Sequence, residues 1–131
     1  MIDRDEMMRL LLDACPSFRL EWDAFVSEWE DEQPDLPLYI ALAAFVRHLM
    51  VVYKRGEVEV LREVFPVVER LQVEGDEYVL NAAIVGILEC LANWNMHGTT
   101  KPKQFIPFLG PASQAWWEEY GDFEESRPAD D

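Results

Sequence analysis

The chain has 131 residues, half of them hydrophobic, with 26 acids against 11 lysines and arginines and a net charge of −15. That length fits one domain, and the composition is globular rather than that of a disordered chain. A surface this negative repels nucleic acid and anionic membranes and attracts cationic partners.

Apolar residues recur at helical spacing throughout, strand alternation is absent, and there is no Asn-Gly or Asp-Gly hairpin signal. Asp3 and Glu6 have the spacing of a capping box, opening a first helix that runs to about Ala14 with Met7, Leu10, Leu11 and Ala14 on one face. Pro16 stops it. Ser17 is predicted to cap a second helix, in which Phe18, Trp22, Phe25, Val26 and Trp29 form an amphipathic stripe opposite Glu21, Asp23, Glu28 and Glu30. That helix runs out in the acidic turn Glu30-Asp-Glu-Gln-Pro-Asp35. Pro37 suits the first turn of a third helix, with a stripe of Leu38, Leu42, Phe45, Leu49 and Val52. Lys54, Arg55 and Gly56 suit its C-terminus.

The fourth helix uses Val58, Leu61, Val64, Phe65, Val68 and Leu71, and Pro66 inside it predicts a kink or a division into two pieces. Gly75 ends it and Asp76 caps the fifth, whose broad apolar face (Val79, Leu80, Ala83, Ile84, Ile87, Leu88, Leu91) suits a central, mostly buried position. Ala82, Ala83 and Gly86 allow a neighbouring helix to approach closely. The connection from Asn93 to Gly110 is too apolar around Phe105-Ile-Pro-Phe-Leu to float free and is expected to pack on the bundle. Pro111 starts a last short helix bearing Trp116, Trp117 and Tyr120. The fold class is therefore all-α, a single-domain bundle of about six helices over residues 1–120, followed by an acidic tail, 121–131, expected to be frayed. Helices three to five have the character of an αα-hairpin, and Asp76-Glu-Tyr-Val-Leu-Asn-Ala-Ala resembles the second helix of a HEAT repeat. One such unit falls short of the roughly three that a solenoid needs.

The charge is unevenly placed. Residues 1–35 hold eleven acids and three bases, 36–75 hold five of each, and 111–131 hold seven acids and one base. Clustered like charge destabilises unless something offsets it, so Glu28, Glu30, Asp31, Glu32 and Asp35 form a candidate docking face for a basic protein. Trp29 beside them, and Trp117 with Glu118 on the last helix, are candidate contacts, since Trp is enriched where interfaces are strongest. Adjacent residues on a helix point about 100° apart, so one of Trp116 and Trp117 can enter the core while the other stays partly exposed.

No cofactor or metal is expected. The acidic turn lacks the Asp-x-Asp-x-Asp-Gly spacing and distal Glu of a calcium loop, Cys15 and Cys90 read as reduced core residues with no zinc-type partner nearby, and no Gly-rich phosphate loop occurs. Nothing selects a carboxylate pair for glycoside chemistry. No serine sits in a nucleophile elbow, which leaves His48 and His97 without an obvious nucleophile. The chain thus reads as non-enzymatic. No apolar run reaches the roughly 18 residues that cross a bilayer, and the acid-bearing start Met1-Ile-Asp-Arg-Asp-Glu is unlike a secretory leader, so a cytoplasmic location is expected.

Three segments carry a family resemblance: Arg4-Asp-Glu-Met-Met-Arg-Leu-Leu-Leu-Asp-Ala-Cys-Pro-Ser-Phe, Val73-Glu-Gly-Asp-Glu-Tyr-Val-Leu-Asn-Ala-Ala, and, most specifically, Phe108-Leu-Gly-Pro-Ala-Ser-Gln-Ala-Trp-Trp-Glu-Glu. Together they resemble a family of small acidic helical bacterial proteins catalogued as a domain of unknown function. Such proteins are similar in size and charge to the immunity proteins of bacterial polymorphic toxins. The resemblance implies a binding protein whose partner is a basic toxin domain, a nuclease for example, and it implies no catalytic residues. The alternative expectation is a non-enzymatic adaptor that holds a protein partner through the central helical hairpins.

Overall fold

A computed structural model describes residues 1–32 and 36–121. Seven α-helical segments occur among them, with no strand beyond one isolated bridge. Helix α1 (Arg4–Ala14) starts where the Asp3 carboxylate accepts from the Glu6 amide at 2.9 Å, and it ends at Cys15, just before Pro16. Its inward face is turned slightly from the expected one: Met7, Met8, Leu11 and Leu12 are buried, while Leu10 and Ala14 are half-buried. A 3₁₀ turn (Pro16–Phe18) leads into α2 (Arg19–Glu28), whose expected stripe is only half-buried at Trp22, Phe25 and Val26, with no residue fully buried. Another 3₁₀ turn follows at Glu30–Glu32.

Helix α3 (Leu38–Lys54) and helix α4 (Val58–Glu74) make the central hairpin. Gly56 between them has φ 74°, a left-handed conformation that glycine adopts without steric cost. Pro66 does not divide the helix into two pieces, and α4 is continuous through it. A proline deprives the carbonyl four residues earlier of its donor. Here that carbonyl belongs to Arg62, and both Arg62 and Pro66 are exposed, so water can serve in place of the missing amide.

Asp76 caps the fifth rod as expected, accepting from the Val79 amide at 2.9 Å. The rod begins as α5 (Glu77–Asn81), widens into a π-helical stretch (Ala82–Leu88) and finishes as α6 (Glu89–Ala92). The sequence carries no sign of that widening. Its effect is that Gly86, Ile87 and Leu88 are buried in succession, a wider inward face than ordinary α spacing presents. Gly86 meets α3 closely: a Cβ there would stand 2.6 Å from Leu42 Cδ1.

Packing converges on α4. Its stripe of Leu61, Val64, Phe65, Val68 and Leu71 is buried, and α1, α3, the fifth rod and α7 (Pro111–Tyr120) all lie against that helix. The N-terminus is tied to the same centre, because Ile2 donates to the Glu74 carbonyl at 2.8 Å and accepts from Asp76 at 2.9 Å. The connection from 93 to 110 does pack on the bundle. Phe105, within a 3₁₀ stretch (Pro102–Phe108), is fully buried between Tyr53, at 5.2 Å, and Phe65, at 6.5 Å. Helix α7 is locked by Glu69 of α4, whose carboxylate accepts from the Ala112 amide at 2.6 Å and the Ser113 amide at 3.2 Å. Anionic capping of this kind matches both the free amides and the positive end of the helix.

His97 clamps the loop before Phe105. Its Nε2 lies 2.7 Å from the Leu91 carbonyl and its Nδ1 lies 2.7 Å from Thr100 Oγ1. A carbonyl only accepts, so Nε2 carries the proton and Nδ1 accepts from the threonine hydroxyl. Burial holds the His97 pKa below the ordinary histidine value, opposed by the bond to Leu91.

Two predictions follow from these locks. Glu69→Ala should cost about 1–3 kcal/mol by leaving the α7 amides unpaired, and hydrogen exchange in Ala112 and Ser113 should accelerate, with Glu69→Gln intermediate. His97→Ala should cost about 1–2 kcal/mol at pH 7 through its two lost bonds. The native pKa of His97 lies below the unfolded value of about 6.5, so its stabilisation is full above that value and declines as pH falls below it. Thermal melts between pH 7.5 and 5 should therefore fall more for wild type than for His97→Ala.

Candidate partner-binding face

Helix α2 displays a ladder of aromatic rings. Trp22 stacks on Phe25 at 5.6 Å and 23°, and Phe25 lies 6.3 Å from Trp29. All three are half-buried, while Leu20 nearby is 84% exposed. The spacing i, i+3, i+7 places them on one side of the helix. Glu21, Asp23, Glu28, Glu30, Asp31 and Glu32 are all exposed, so the ladder is flanked by carboxylates, of which Glu21 contacts His48. The turn is held by the Glu32 amide donating to the Trp29 carbonyl at 2.9 Å. Asp35, the last residue of the predicted cluster, lies outside the described residues. A small cavity of about 120 Å³ opens beside the ladder, where Met8, Leu36 and Leu38 meet Trp22.

The structure therefore brings Glu28, Trp29, Glu30, Asp31 and Glu32 together and separates them in role from the other predicted contacts. Trp117 is corrected to a core residue. It is only 9% exposed, and Gly121 lies so close that a Cβ there would be 2.8 Å from the indole Cγ. Trp116, 6.2 Å from it, is the half-buried member of the pair. Glu118 is exposed, but on α7, a helix packed on α4. The tail beyond Gly121 lies outside the described residues.

Helix α2 is strapped to α3 by a group that sequence reasoning missed. Ser17 does not cap α2, for Phe18 holds the cap position without a side-chain bond. Ser17 Oγ lies instead 2.7 Å from His48 Nε2, and Glu21 Oε1 lies 3.5 Å from His48 Nδ1. With a carboxylate facing Nδ1, that nitrogen donates and Nε2 accepts from the serine hydroxyl. The imidazole is buried, with Phe18 at 5.6 Å, and Phe18 is itself edge-on to Phe45 at 5.2 Å. This is the atom order of a serine–histidine–acid relay, formed between residues 31 apart in sequence. The one sequence signal was the pair Ser17 and Glu21, four residues apart and thus on one helical side. Cys15 Sγ lies 3.6 Å from Ser17 Oγ, but burial pushes its thiol up, away from the reactive thiolate. Among the described residues no group of three His, Cys, Asp or Glu side chains is placed to hold a metal ion, and no helix is long and apolar enough to cross a membrane.

His48→Ala should uncouple α2 while leaving the α3–α4 hairpin folded. Amide exchange across 19–28 should accelerate by about tenfold or more, as expected from losing one or two net hydrogen bonds. Unchanged exchange there would mean that the aromatic ladder alone holds the helix.

No curated protein and no solved structure matches the chain. Residues 8–125, which take in α2 to α7 whole, match the family described as "Domain of unknown function (DUF7674)", and the chain belongs to that family.

Proposed function

We propose that this protein is a non-enzymatic binding protein of immunity type, which covers the cationic site of a basic effector domain such as a nuclease toxin. The observation that carries this reading is the half-exposed ladder Trp22–Phe25–Trp29, set among exposed acids on a helix with no fully buried residue. Aromatic anchors supply the affinity of protein interfaces, and complementary charge supplies the encounter rate and the rejection of wrong partners. The partner's basic surface would be drawn to Glu28, Glu30, Asp31 and Glu32, its apolar groups would close over Trp29, and its anionic substrate would be occluded.

The adaptor alternative rests on a different surface. Ile40 and Val85 are exposed on α3 and the fifth rod, and Tyr39 lies edge-on to Tyr78 at 6.0 Å. A partner held there would be bound with little dependence on salt.

The test is a pull-down from the native host at low and high salt, followed by affinity measurements with the recovered partner. Joint charge reversal, Glu30→Lys with Asp31→Lys and Glu32→Lys, should slow association by about tenfold or more and flatten its salt dependence. Trp29→Ala should raise Kd by about thirtyfold, the effect of a strong interface anchor. A recovered partner indifferent to both changes would move the interface off α2. Ser17 is a strap here rather than a nucleophile, so a fluorophosphonate probe should leave it unlabelled, and stoichiometric labelling lost in His48→Ala would overturn the non-enzymatic reading.

A further inference from the structure

A strongly acidic chain has one pronounced basic groove. It runs between the C-terminal half of α3 and the loop 96–100, with a volume of about 460 Å³. Arg47, Lys54 and Arg55 provide its charge. Arg55 shares its guanidinium with Glu57 at 4.0 Å, whereas Arg47 and Lys54 meet no carboxylate among the described residues, Arg47 only touching Met96 Sδ at 4.0 Å. The floor is apolar, formed by Met50, Met96 and the exposed Val51. On the far wall Gly98 opens to solvent, with nothing within 4 Å of where a Cβ would stand, and Thr99 is exposed beside it.

An independent feature of the sequence points to the same place. The chain has no acid from 36 to 56 and none from 90 to 117, although it has 26 acids in all. Those two stretches are the two walls of the groove, and they carry Arg47, Lys54, Arg55, Lys101 and Lys103. The acids are thus missing from the walls where they would cancel the local positive field.

From this geometry we infer that the groove binds an acidic peptide segment of a protein partner, in extended form. Arg47 and Lys54 are seven residues apart on one helix, about 10 Å along its axis. Two carboxylates four residues apart on an extended chain share one face with the residue midway between them and span about 13 Å, within reach of the two long basic side chains. Val51, between the two bases, then receives an apolar residue between the two acids. A single phosphate is too compact to meet both bases, and a longer anion without an apolar centre leaves the floor uncovered. Backbone groups of the open loop at Gly98 and Thr99 are placed to meet the peptide main chain. The site is separate from the acidic ladder of α2 and does not depend on the role proposed for it.

The test is a titration of the ¹⁵N-labelled full chain with the peptide acetyl-Gly-Asp-Ala-Leu-Ala-Asp-Gly-amide, followed by amide shifts. The expected result is saturable shifts at Val51, Gly98 and Thr99 with Kd below about 1 mM at low ionic strength. Arg47→Ala and Lys54→Ala should each weaken binding by about tenfold, as loss of one charge-assisted contact does. Both side chains are exposed, and an unchanged spectrum away from the groove shows that each variant is folded. Replacing both peptide acids by Asn should abolish the shifts. Charge reversal at Glu30, Asp31 and Glu32 should not weaken peptide binding. Shifts that fail to saturate, map elsewhere or persist in both variants would overturn the inference. So would pyrophosphate binding these residues more tightly than the peptide, which would reassign the groove to a phosphate ligand.

Discussion

The buried stripe of α4 is the contact on which the rest of the molecule depends. Leu61, Val64, Phe65, Val68 and Leu71 are each at most 1% exposed, and four other helical rods bury their own apolar faces against this helix. A surface surrounded in this way has little room for uncompensated charge, because a buried ion without a partner costs several kcal/mol. The five acids and five bases of residues 36–75 accordingly stay out of that stripe, none of them being buried, and they sum to no net charge. The negative charge lies outside that hairpin, most of it in the first 35 residues and in the last helix and tail.

The looseness of α2 follows from the same arrangement. Once α1, α3, the fifth rod and α7 have covered α4, α2 remains at the margin, held by the Ser17–His48–Glu21 strap and the ring of Phe18. Its three aromatic rings contact one another along the helix, Trp22 stacked on Phe25 and Phe25 tilted against Trp29. A helix with that combination is stable enough to be ordered and still leaves aromatic area for a partner. The acids around it add little to folding, since exposed charges contribute about 1 kcal/mol or less each.

Charge is segregated in two senses. Acids cluster along α2 and its turn, while the two acid-free stretches meet to form the groove around Arg47 and Lys54. These stretches are far apart in sequence, and only the return of the loop 96–100 to the end of α3 makes them neighbours. His97 secures that return through Leu91 and Thr100. The shape of the basic groove therefore depends on a histidine that touches none of its charges.

Local chemistry decided much of this protein in advance. The caps at Asp3 and Asp76, the turn at Gly56 and the central rod with its small residues were all legible, because each rests on contacts within a few residues or on one helical period. Other features were not legible, and four of them have a long-range cause. Pro66 leaves α4 intact because its face is solvated, a matter of which side of the helix the other rods cover. Ser17 turns from capping to a histidine 31 residues away. Trp117 rather than Trp116 is buried because Glu69, 43 residues before Ala112, sets where α7 begins and how it lies. The basic groove exists only where two acid-free stretches are folded side by side. Sequence alone determined which segments are helical and where charge accumulates, since propensity and periodicity are local. Tertiary structure decided which faces are covered and which distant groups meet, since both depend on how the rods close around α4.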